Sequence, residues 1–250
     1  MTALAQAAVL MRRRPRVAVL TGAGLSVESG IPDFRSAQGL WSRYDPAEYA
    51  TLWAFRRDPH RVWRMLAEMI QVVDAARPNP AHQALARMER AGVVKGVVTQ
   101  NIDGLHQAAG SREVLEFHGN CRSLSCLECG RRYTREEAAV LGVPPPCGCG
   151  ALLKPDIVFF GETISERALE DSRELAAHCD IILVVGTSAE VAPANQMPWI
   201  ARQHGATVVE LNLEPTCLTD SVTDIFVPGP AATTLHELAE EVLGTVTSHE

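Results

Sequence analysis

The sequence predicts an α/β fold, in which a parallel sheet with helices on both faces carries a small inserted module. Short apolar runs alternate along the chain with amphipathic stretches, and buried strands that alternate with helices are typical of such a sheet. Five of the seven cysteines fall between Cys121 and Cys149. Because clustered cysteines in an intracellular chain indicate metal binding more often than disulfides, we expect a separate module around them.

Five apolar runs predict the strands of the sheet. The first, Arg16–Leu20, ends at the turn Thr21-Gly22-Ala23-Gly24, as expected of a buried strand that leads into a tight glycine turn. The other four runs are Val93–Thr99, Ile181–Val185, Val208–Leu211 and the weaker Asp224–Val227.

Helix start signals precede three of the amphipathic stretches. Asn79 stands before Pro80, which suits the first turn of a helix over Ala81–Arg90. The segment Gly30–Arg57 is long, aromatic and irregular, and it predicts a functional loop. The other two helices are predicted at Arg167–Ala177, opened by Ser165-Glu166, and at Thr233–Leu243, preceded by Pro230.

The composition is that of a globular protein rather than of a disordered, membrane or nucleic-acid-binding chain. Hydrophobic residues make up 46% and charged residues 21% of the chain, which excludes disorder. The net charge of -7 suits a cationic partner such as a lysine-rich tail and disfavours nucleic acid. No apolar run approaches the roughly 20 residues of a membrane span, and Arg12–Arg14 follow an apolar stretch, the reverse of a signal peptide. We therefore expect a cytoplasmic protein. We also expect it to be a monomer.

The turn Gly22-Ala23-Gly24-Leu25-Ser26 indicates a nucleotide site. Glycines directly after a strand let backbone N–H groups approach phosphates at a helix N-terminus. The dehydrogenase fingerprint would also need a glycine at position 27, which is Val27 here, and an acidic residue about 20 residues further on, which is not evident. The turn therefore suggests a nucleotide but argues against an ordinary dehydrogenase. A plain strand-to-helix turn is the alternative.

Two cysteine pairs, Cys126-x-x-Cys129 and Cys147-x-Cys149, predict a structural zinc site. Four thiolates in two close pairs supply a tetrahedral Zn–S4 shell, which leaves no open position for catalysis. The second pair is tighter than the usual two-residue gap. Cys121 is the available substitute for one of these four ligands, and unliganded core cysteines are the alternative interpretation.

Polar residues follow the predicted strand Val93–Thr99. Gln100, Asn101 and Asp103 stand at its carboxyl end, which is the edge where α/β proteins bind ligands. His118 can reach the same cleft, and a neutral imidazole there accepts a hydroxyl proton near pH 7. Taken alone, a histidine such as His118 is more often a surface or hydrogen-bonded residue than a catalytic base.

Several long motifs, found in one order between residues 15 and 245, resemble those of the sirtuin family. They are Gly22–Ser26, Ser29–Arg35, Thr99–His106, Glu116–Gly119, Pro155–Glu162, Gly186–Ser188, Val191–Ala194 and Asn212–Glu214. The resemblance implies a Rossmann-like NAD-binding domain at 1–119 and 153–250 and a zinc-ribbon module at 120–152. It also implies a helical small-domain segment within 36–78.

The resemblance further implies a cleft that binds NAD and an acyl-lysine peptide. Implied dinucleotide contacts are Gly22, Ala23, Gly24, Ser26, Asp33, Phe34 and Arg35, with Gln100, Asn101 and Asp103 at nicotinamide and its ribose. Implied contacts on the adenosine side are Gly186, Thr187, Ser188, Asn212 and Glu214. The substrate backbone would pair with Val158, Phe159, Phe160, Gly161, Glu162 and Val191, and strand addition of this kind tolerates varied peptide sequences.

The activity implied by the resemblance is NAD-dependent protein lysine deacetylation. The acyl oxygen attacks the anomeric carbon as nicotinamide leaves, and His118 then takes a proton from the ribose hydroxyl that attacks the imidate carbon. Water completes the release of free lysine and O-acetyl-ADP-ribose. Asn101 and Asp103 complete the implied catalytic set, and zinc takes part in no chemical step.

The positions of Leu66 and Met69 favour acetyl over acidic acyl groups. Some sirtuins that remove acidic acyl groups have a tyrosine and an arginine there, whereas a succinyl carboxylate buried in this chain would lack a bidentate partner. Lys154 stands where the family generally has arginine, and it keeps the charge without the planar fork. The alternatives are desuccinylation, removal of longer acyl chains, mono-ADP-ribosyl transfer at the same NAD site, and a nucleotide-sensing module without activity.

Overall fold

Two sheets organise the chain in a computed structural model that describes residues 1–33 and 39–244. The strands are β1 (Val17–Thr21), β2 (Val94–Thr99), β3 (Val114–Glu116), β4 (Gly119–Cys126), β5 (Arg132–Thr134), β6 (Leu153–Ile157), β7 (Ile181–Val185), β8 (Thr207–Asn212) and β9 (Ile225–Pro228). The helices are α1 (Ala3–Arg13), α2 (Pro46–Tyr49), α3 (Leu52–Arg57), α4 (Pro59–Ala75), α5 (Pro80–Arg90), α6 (Leu105–Ala108), α7 (Arg135–Ala139), α8 (Glu166–Ala177), α9 (Met197–Gln203) and α10 (Ala231–Leu243). None of the helices in these two ranges has both the length and the apolar character that a bilayer crossing requires.

The main sheet has the strand order β3-β2-β1-β7-β8-β9, and every neighbouring pair is parallel. Side chains alternate between its faces because successive residues of a strand point in opposite directions. Val17 and Val19 of β1 pack with α1, α5 and α10, whereas Ala18 and Leu20 pack with α8 and α9. The prediction of a parallel sheet with helices on both faces is therefore confirmed, as are the five predicted strands.

The start of α5 shows how the predicted caps work. The Asn79 side chain accepts hydrogen bonds from the backbone N–H groups of Ala81 and His82 at 2.9 and 3.3 Å. Its amide nitrogen donates to the Leu25 carbonyl at 2.7 Å, so the helix cap also holds the glycine-rich turn. The three predicted helices are confirmed as α5, α8 and α10, with starts within two residues of those expected.

Strand β1 lies at the point where the strand order reverses. The chain runs from β1 outward to β2 and β3, and it returns to β7 on the other side of β1 before continuing to β8 and β9. Ligands of open α/β sheets bind in the crevice outside the carboxyl ends of the strands at such a point. The turns after β1 and β7 therefore define where a ligand site is to be sought.

The small sheet is antiparallel, with the order β5-β4-β6. It shares a hydrophobic core with α3 and α4, and the Trp63 indole N–H donates to the Leu153 carbonyl at 2.8 Å. Strand β6 comes from residues 153–157, just after the cysteine-rich segment. We infer a second structural unit made of this sheet, its cysteine-bearing turns and the helices within 36–78.

Two local expectations were wrong. The segment Gly30–Arg57 is not an irregular loop throughout, because Asp45 and Thr51 cap the short helices α2 and α3 within it. The glycine turn does not open an α-helix, because two 3-10 turns follow it and the second ends at Gly30, whose φ is 87°. Short polar caps and a left-handed glycine decided the local structure in both places.

Gly119, at the start of β4, provides a test of the contact between β4 and β6. Its φ is 74°, and a Cβ atom there would lie 1.9 Å from the Asp156 carbonyl oxygen. We expect Gly119→Ala to lower the free energy of unfolding by about 3 kcal/mol or more, because backbone atoms would have to move apart. Urea denaturation of the purified protein measures the change.

Gly92 is the matched control, since its φ is 76° and no atom lies within 4 Å of a Cβ placed there. Gly92→Ala should lower the free energy of unfolding by only about 1–2 kcal/mol, which is the cost of a left-handed backbone conformation for a residue with a Cβ atom. Equal losses in the two variants would contradict the steric explanation for Gly119.

Candidate active site

A cavity of about 440 Å³ lies where the turns after β1 and β2 face α4. Ala23 and Ser26 line it from the first turn, and Asn101 and Asp103 line it from the second. Most of the remaining lining is apolar, including Met69 of α4. The cavity combines a few polar groups with an apolar wall, which is the usual character of small-molecule sites.

The turns after β1 and β7 are in direct backbone contact. The N–H groups of Gly22 and Gly24 donate to the carbonyls of Val185 and Gly186 at 3.1 and 2.8 Å. A Cβ on Gly24 would lie 2.9 Å from the Gly186 Cα, so a side chain cannot be accommodated. Since these two N–H groups are already bonded, a phosphate would have to be met by other groups of the turn, such as the Ala23 N–H.

Ser26, Asn101 and Asp103 form one hydrogen-bonded group at the cavity. The Ser26 hydroxyl donates to the Asp103 carboxylate at 2.7 Å, and the Asn101 amide nitrogen donates to the Gly22 carbonyl at 3.0 Å and contacts Ser26 Oγ at 3.2 Å. Burial raises the pKa of Asp103, while hydrogen bonds from Ser26 and the Leu105 N–H oppose the rise. With its amide nitrogen engaged in this way, Asn101 offers its side-chain oxygen to a ligand.

His118 is held by the residue that precedes this group. Its Nδ1 lies 3.2 Å from the Gln100 carbonyl oxygen, and because a carbonyl only accepts, Nδ1 carries the proton and Nε2 is left as an acceptor. Burial lowers the pKa of His118 below its ordinary value of 6.5, although the bond to Gln100 opposes the shift. The imidazole is therefore neutral near pH 7 and suited to act as a base.

The structure also brings together the residues expected on the adenosine side. Gln100 donates from its side chain to the Thr187 hydroxyl at 2.9 Å, which links the ends of β2 and β7. The Asn212 amide at the end of β8 donates to the Thr187 carbonyl at 3.2 Å. Ser188 and Glu214 follow in the same two turns, and Glu214 is exposed.

The segment expected to pair with the substrate, residues 158–162, lies beside His118. Val158 donates its N–H to the His118 carbonyl at 2.9 Å. The N–H of Phe160 donates to Ala50, and its carbonyl accepts from Leu52. Because both backbone groups of Phe160 are engaged, a substrate strand would have to pair with neighbouring residues such as exposed Gly161. Val191, in the turn after β7, is half-buried.

An ion pair between buried Lys154 and half-buried Glu162 links β6 to this segment. The Lys154 ammonium donates to the carbonyls of Pro155 and Ile157 at 3.1 and 2.7 Å and pairs with Glu162 at 2.9 Å. Glu162 also accepts the Phe159 N–H at 2.7 Å, while the Phe159 ring lies 4.5 Å below the ammonium. All three ammonium hydrogens have acceptors, so Lys154 is fully hydrogen-bonded without the planar fork of arginine.

Leu66 and Met69 have different surroundings. Leu66 is fully buried in the core of the small unit, whereas Met69 is half-buried and lines the cavity. Arg43 also lines the cavity and pairs with Glu68 at 2.7 Å. Among the described residues, Arg43 is the cation that lines the cavity, and its guanidinium is already paired with a carboxylate.

Four cysteines of the small unit come together as predicted. The sulfur atoms of Cys126, Cys129, Cys147 and Cys149 all lie within 4.8 Å of one another, with two pairs at 3.5 and 3.6 Å. A tetrahedral site with Zn–S bonds of about 2.3 Å requires sulfur atoms about 3.8 Å apart, so the four thiols fit zinc. Cys121 is buried outside the cluster.

The comparison with known proteins decides the family, because the Sir2 family model matches residues 22–193. The chain belongs to the Sir2, or sirtuin, family. The NAD-dependent protein deacylase 2 of Pyrobaculum aerophilum is 50% identical over 225 residues, which are 90% of this chain and 90% of that protein.

Solved Sir2 structures share the whole fold of this Sir2 chain. A Sir2 homologue in complex with NAD has a TM-score of 0.89 at 40% identity and covers 95% of this chain and 93% of its own. Sir2Af2 bound to a myristoylated histone peptide has a TM-score of 0.82 at 38% identity and covers 96% of each chain. A Sir2 structure with a deacetylated p53 peptide and 3'-O-acetyl ADP ribose has a TM-score of 0.88 at 34% identity and covers 97% and 98%.

Sequence reasoning missed several contacts of this Sir2 site. Glu162 was expected only as a backbone partner of the substrate, and the role of its carboxylate in holding Lys154 came from the structure. Glu210 carried no recognisable motif, although a lone acidic residue in an apolar strand was a signal. Phe34 and Arg35, expected at the cofactor, lie outside the described residues, whereas Asp33 lies at their edge and accepts the Leu40 N–H.

Two buried histidines near the site have structural roles. The His106 Nε2 contacts the Thr21 hydroxyl at 3.0 Å, and the His82 Nδ1 lies 3.0 Å from Asn79. Burial lowers the pKa of His82 to about 4 and that of His106 to about 3. Both rings are therefore neutral at pH 7.

The cysteine cluster of this Sir2 chain can be tested by replacing Cys149, an exposed member. We expect Cys149→Ser to lower bound zinc from one ion per chain and to destabilise the small unit, because a hydroxyl is a much poorer zinc ligand than a thiolate. Elemental analysis and thermal denaturation provide the measurements.

Cys217→Ser is the matched control, since Cys217 is also exposed but stands outside the cluster. It should retain zinc. Full zinc content in both variants would rule out Cys149 as a ligand.

Proposed function

We propose that this Sir2 chain is an NAD-dependent protein lysine deacylase and that acetyl-lysine is its preferred substrate. The observation that carries the proposal is the bonding of His118, whose Nδ1 is held by the Gln100 carbonyl and whose Nε2 is left as a neutral base. Asn101 and Asp103 stand one and three residues after Gln100. Two findings support the same activity. The Pyrobaculum aerophilum relative is named a deacylase, and similar structures were solved with NAD, with a myristoylated histone peptide or with a deacetylated p53 peptide.

The proposed NAD site runs along the carboxyl ends of β1, β2, β7 and β8. The turns already in contact there, together with the acceptor oxygen of Asn101, fit a ligand with several hydroxyl and amide donors. Bound NAD would supply an electrophilic sugar carbon, once nicotinamide leaves, and hydroxyls that take up the acyl group. We assign it to Gly22, Ala23, Gly24, Ser26, Asp33, Phe34, Arg35, Gln100, Asn101, Asp103, Gly186, Thr187, Ser188, Asn212 and Glu214.

His118, Asn101 and Asp103 have different roles in the proposed reaction. His118 accepts a hydroxyl proton at Nε2, and the Gln100 carbonyl keeps the ring in the required tautomer. Asn101 orients the ligand through its side-chain oxygen, and Asp103 is held by Ser26 and Leu105 where its charge can face the developing positive centre. Preorganised polar groups of this kind usually contribute most to rate acceleration.

The peptide would add as a strand beside Val158, Gly161 and Glu162, with Val191 on its other side. The ion pair of Lys154 and Glu162 keeps this edge in place when no substrate is bound. Main-chain hydrogen bonds would supply most of the peptide affinity, so varied sequences around the acyl-lysine would be accepted.

Zinc in the four-cysteine cluster would be structural. All four positions of a tetrahedral ion are filled by protein sulfur, which leaves no site for a reactant. The cluster would hold the turns of the small unit, whose core also packs against Phe159. All seven cysteines are free, which agrees with the proposed location in the reducing cytoplasm.

The base assignment predicts the effect of His118→Ala. We expect the turnover number with acetyl-peptide and NAD to fall by about 10²–10⁴-fold, the usual contribution of a general base, while zinc content stays the same. In the unmodified protein, activity should decline as pH falls through the His118 pKa, because protonation removes the acceptor lone pair. That decline should lie below pH 6.5, since burial lowers this pKa.

The control is His204→Ala, because the Nδ1 atom of His204 also contacts a backbone carbonyl, that of Ile200, on an exposed helix end. It should turn over substrate normally. Normal turnover by His118→Ala, or an acidic limb centred above pH 7, would overturn the assignment.

The acyl preference is tested with matched acetyl-, butyryl- and succinyl-lysine peptides. We expect nicotinamide release with acetyl to exceed that with succinyl by at least about tenfold, because a buried carboxylate without a partner costs several kcal/mol. Met69 offers an apolar wall, and Arg43 is paired with Glu68. Butyryl should be accepted.

Mass spectrometry of the peptide separates the rival reactions in the same assay. Deacylation lowers its mass, whereas ADP-ribosyl transfer raises it. Succinyl turnover equal to acetyl turnover would contradict the proposed preference but not the deacylase activity.

A further inference from the structure

Glu210, in the middle of β8, is a fully buried carboxylate. One of its oxygens accepts from the Thr216 hydroxyl at 2.5 Å and from the Asn212 amide at 3.2 Å. The other accepts from the hydroxyls of Thr219 and Thr223 at 2.7 and 2.8 Å. No cation pairs with it in the described part of the chain, so four neutral donors compensate for its burial.

The directions of these hydrogen bonds can be assigned. Thr216 Oγ1 accepts the Leu218 N–H at 3.1 Å, and Thr219 Oγ1 accepts the Thr216 N–H at 2.8 Å. Each hydroxyl therefore uses a lone pair on the loop backbone and directs its hydrogen to Glu210. Loop 213–223 is thus wound around the carboxylate and takes its shape from it.

The same carboxylate orients Asn212. The Asn212 amide nitrogen donates to Glu210 and to the Thr187 carbonyl, and both partners are acceptors. This pattern identifies the nitrogen end of the side chain and leaves Asn212 Oδ1 as an acceptor toward the ends of β7 and β8. A sugar hydroxyl is the kind of donor that such an oxygen binds.

We propose that Glu210 is a positioning residue for dinucleotide binding. It sets the direction of the Asn212 amide and the shape of the loop that carries Glu214, and so it controls affinity for the ADP-ribose half of NAD. This inference rests on the proposed function. Glu210 therefore affects the affinity for NAD and does not affect the rate of the chemical step at His118.

The test is Glu210→Gln in the full-length, zinc-loaded protein. The new amide turns a donor toward hydroxyls that already donate, so at least one hydrogen bond is lost, and the Thr187 carbonyl is the one acceptor that still holds the Asn212 amide with certainty. We expect the Kd for ADP-ribose, by calorimetry, and the KM for NAD each to rise about tenfold. At saturating NAD and acetyl-peptide, kcat should stay within about twofold.

Thr219 supplies a second test that does not alter the buried charge. Thr219→Val removes the hydroxyl donated to Glu210 and should weaken ADP-ribose binding, whereas Thr219→Ser keeps the hydroxyl and should restore it. Thr234→Val is the control, since Thr234 is a buried threonine of α10 outside the network. These variants test the proposed role of Glu210 even if Glu210→Gln does not fold.

The outcomes separate the inference from the proposed function. Unchanged Kd and KM in Glu210→Gln and Thr219→Val, with normal binding by the unmodified protein, would overturn the role of Glu210 alone. A fall in kcat without a change in Kd would overturn it as well. An unmodified protein that binds no ADP-ribose would overturn both, whereas binding without deacylation would reject only the proposed reaction.

Discussion

The site depends on one backbone contact, the close approach of the turns after β1 and β7. Gly22 and Gly24 bond to carbonyls of the neighbouring turn, and Gly186 leaves no room for a side chain between them. Other elements attach to this contact: Asn101 donates to the Gly22 carbonyl, and Asn79 donates to Leu25. The glycines therefore matter first as packing elements, and the ligand site is the space that their packing leaves open.

A single rule of hydrogen bonding accounts for the polarity of the cleft. Asn101, Asn212 and His118 each use a nitrogen to bond the protein, which leaves an oxygen or a ring nitrogen as an acceptor. Such a cleft is matched to a ligand rich in hydroxyl donors. Burial acts in the same direction, because it keeps the imidazole neutral.

Five strands of the main sheet could be predicted from the sequence because they form apolar runs, whereas β3 is only three residues long and half-buried throughout. The zinc cluster could be predicted because four cysteines stand in two close pairs. The small sheet could not, since β5 has three half-exposed or exposed residues and no apolar pattern. The role of Glu162 depends on an ion pair formed when its loop folds back on β6. Residues that bind one ligand can be recognised from their spacing in the sequence. The orientation of an amide, in contrast, depends on partners distant in sequence, as Asn101 and Gly22 illustrate.

The contacts that enclose Lys154 also affect how readily the protein itself can be acylated. The chain has two lysines, Lys95 and Lys154, and three acceptors enclose the second in the interior. An amine that is protonated and enclosed is a poor nucleophile toward reactive acyl donors. A protein that meets acylated lysines as substrates thus presents almost no lysine of its own to the same modification, and Lys95 is the exposed residue where such damage would accumulate.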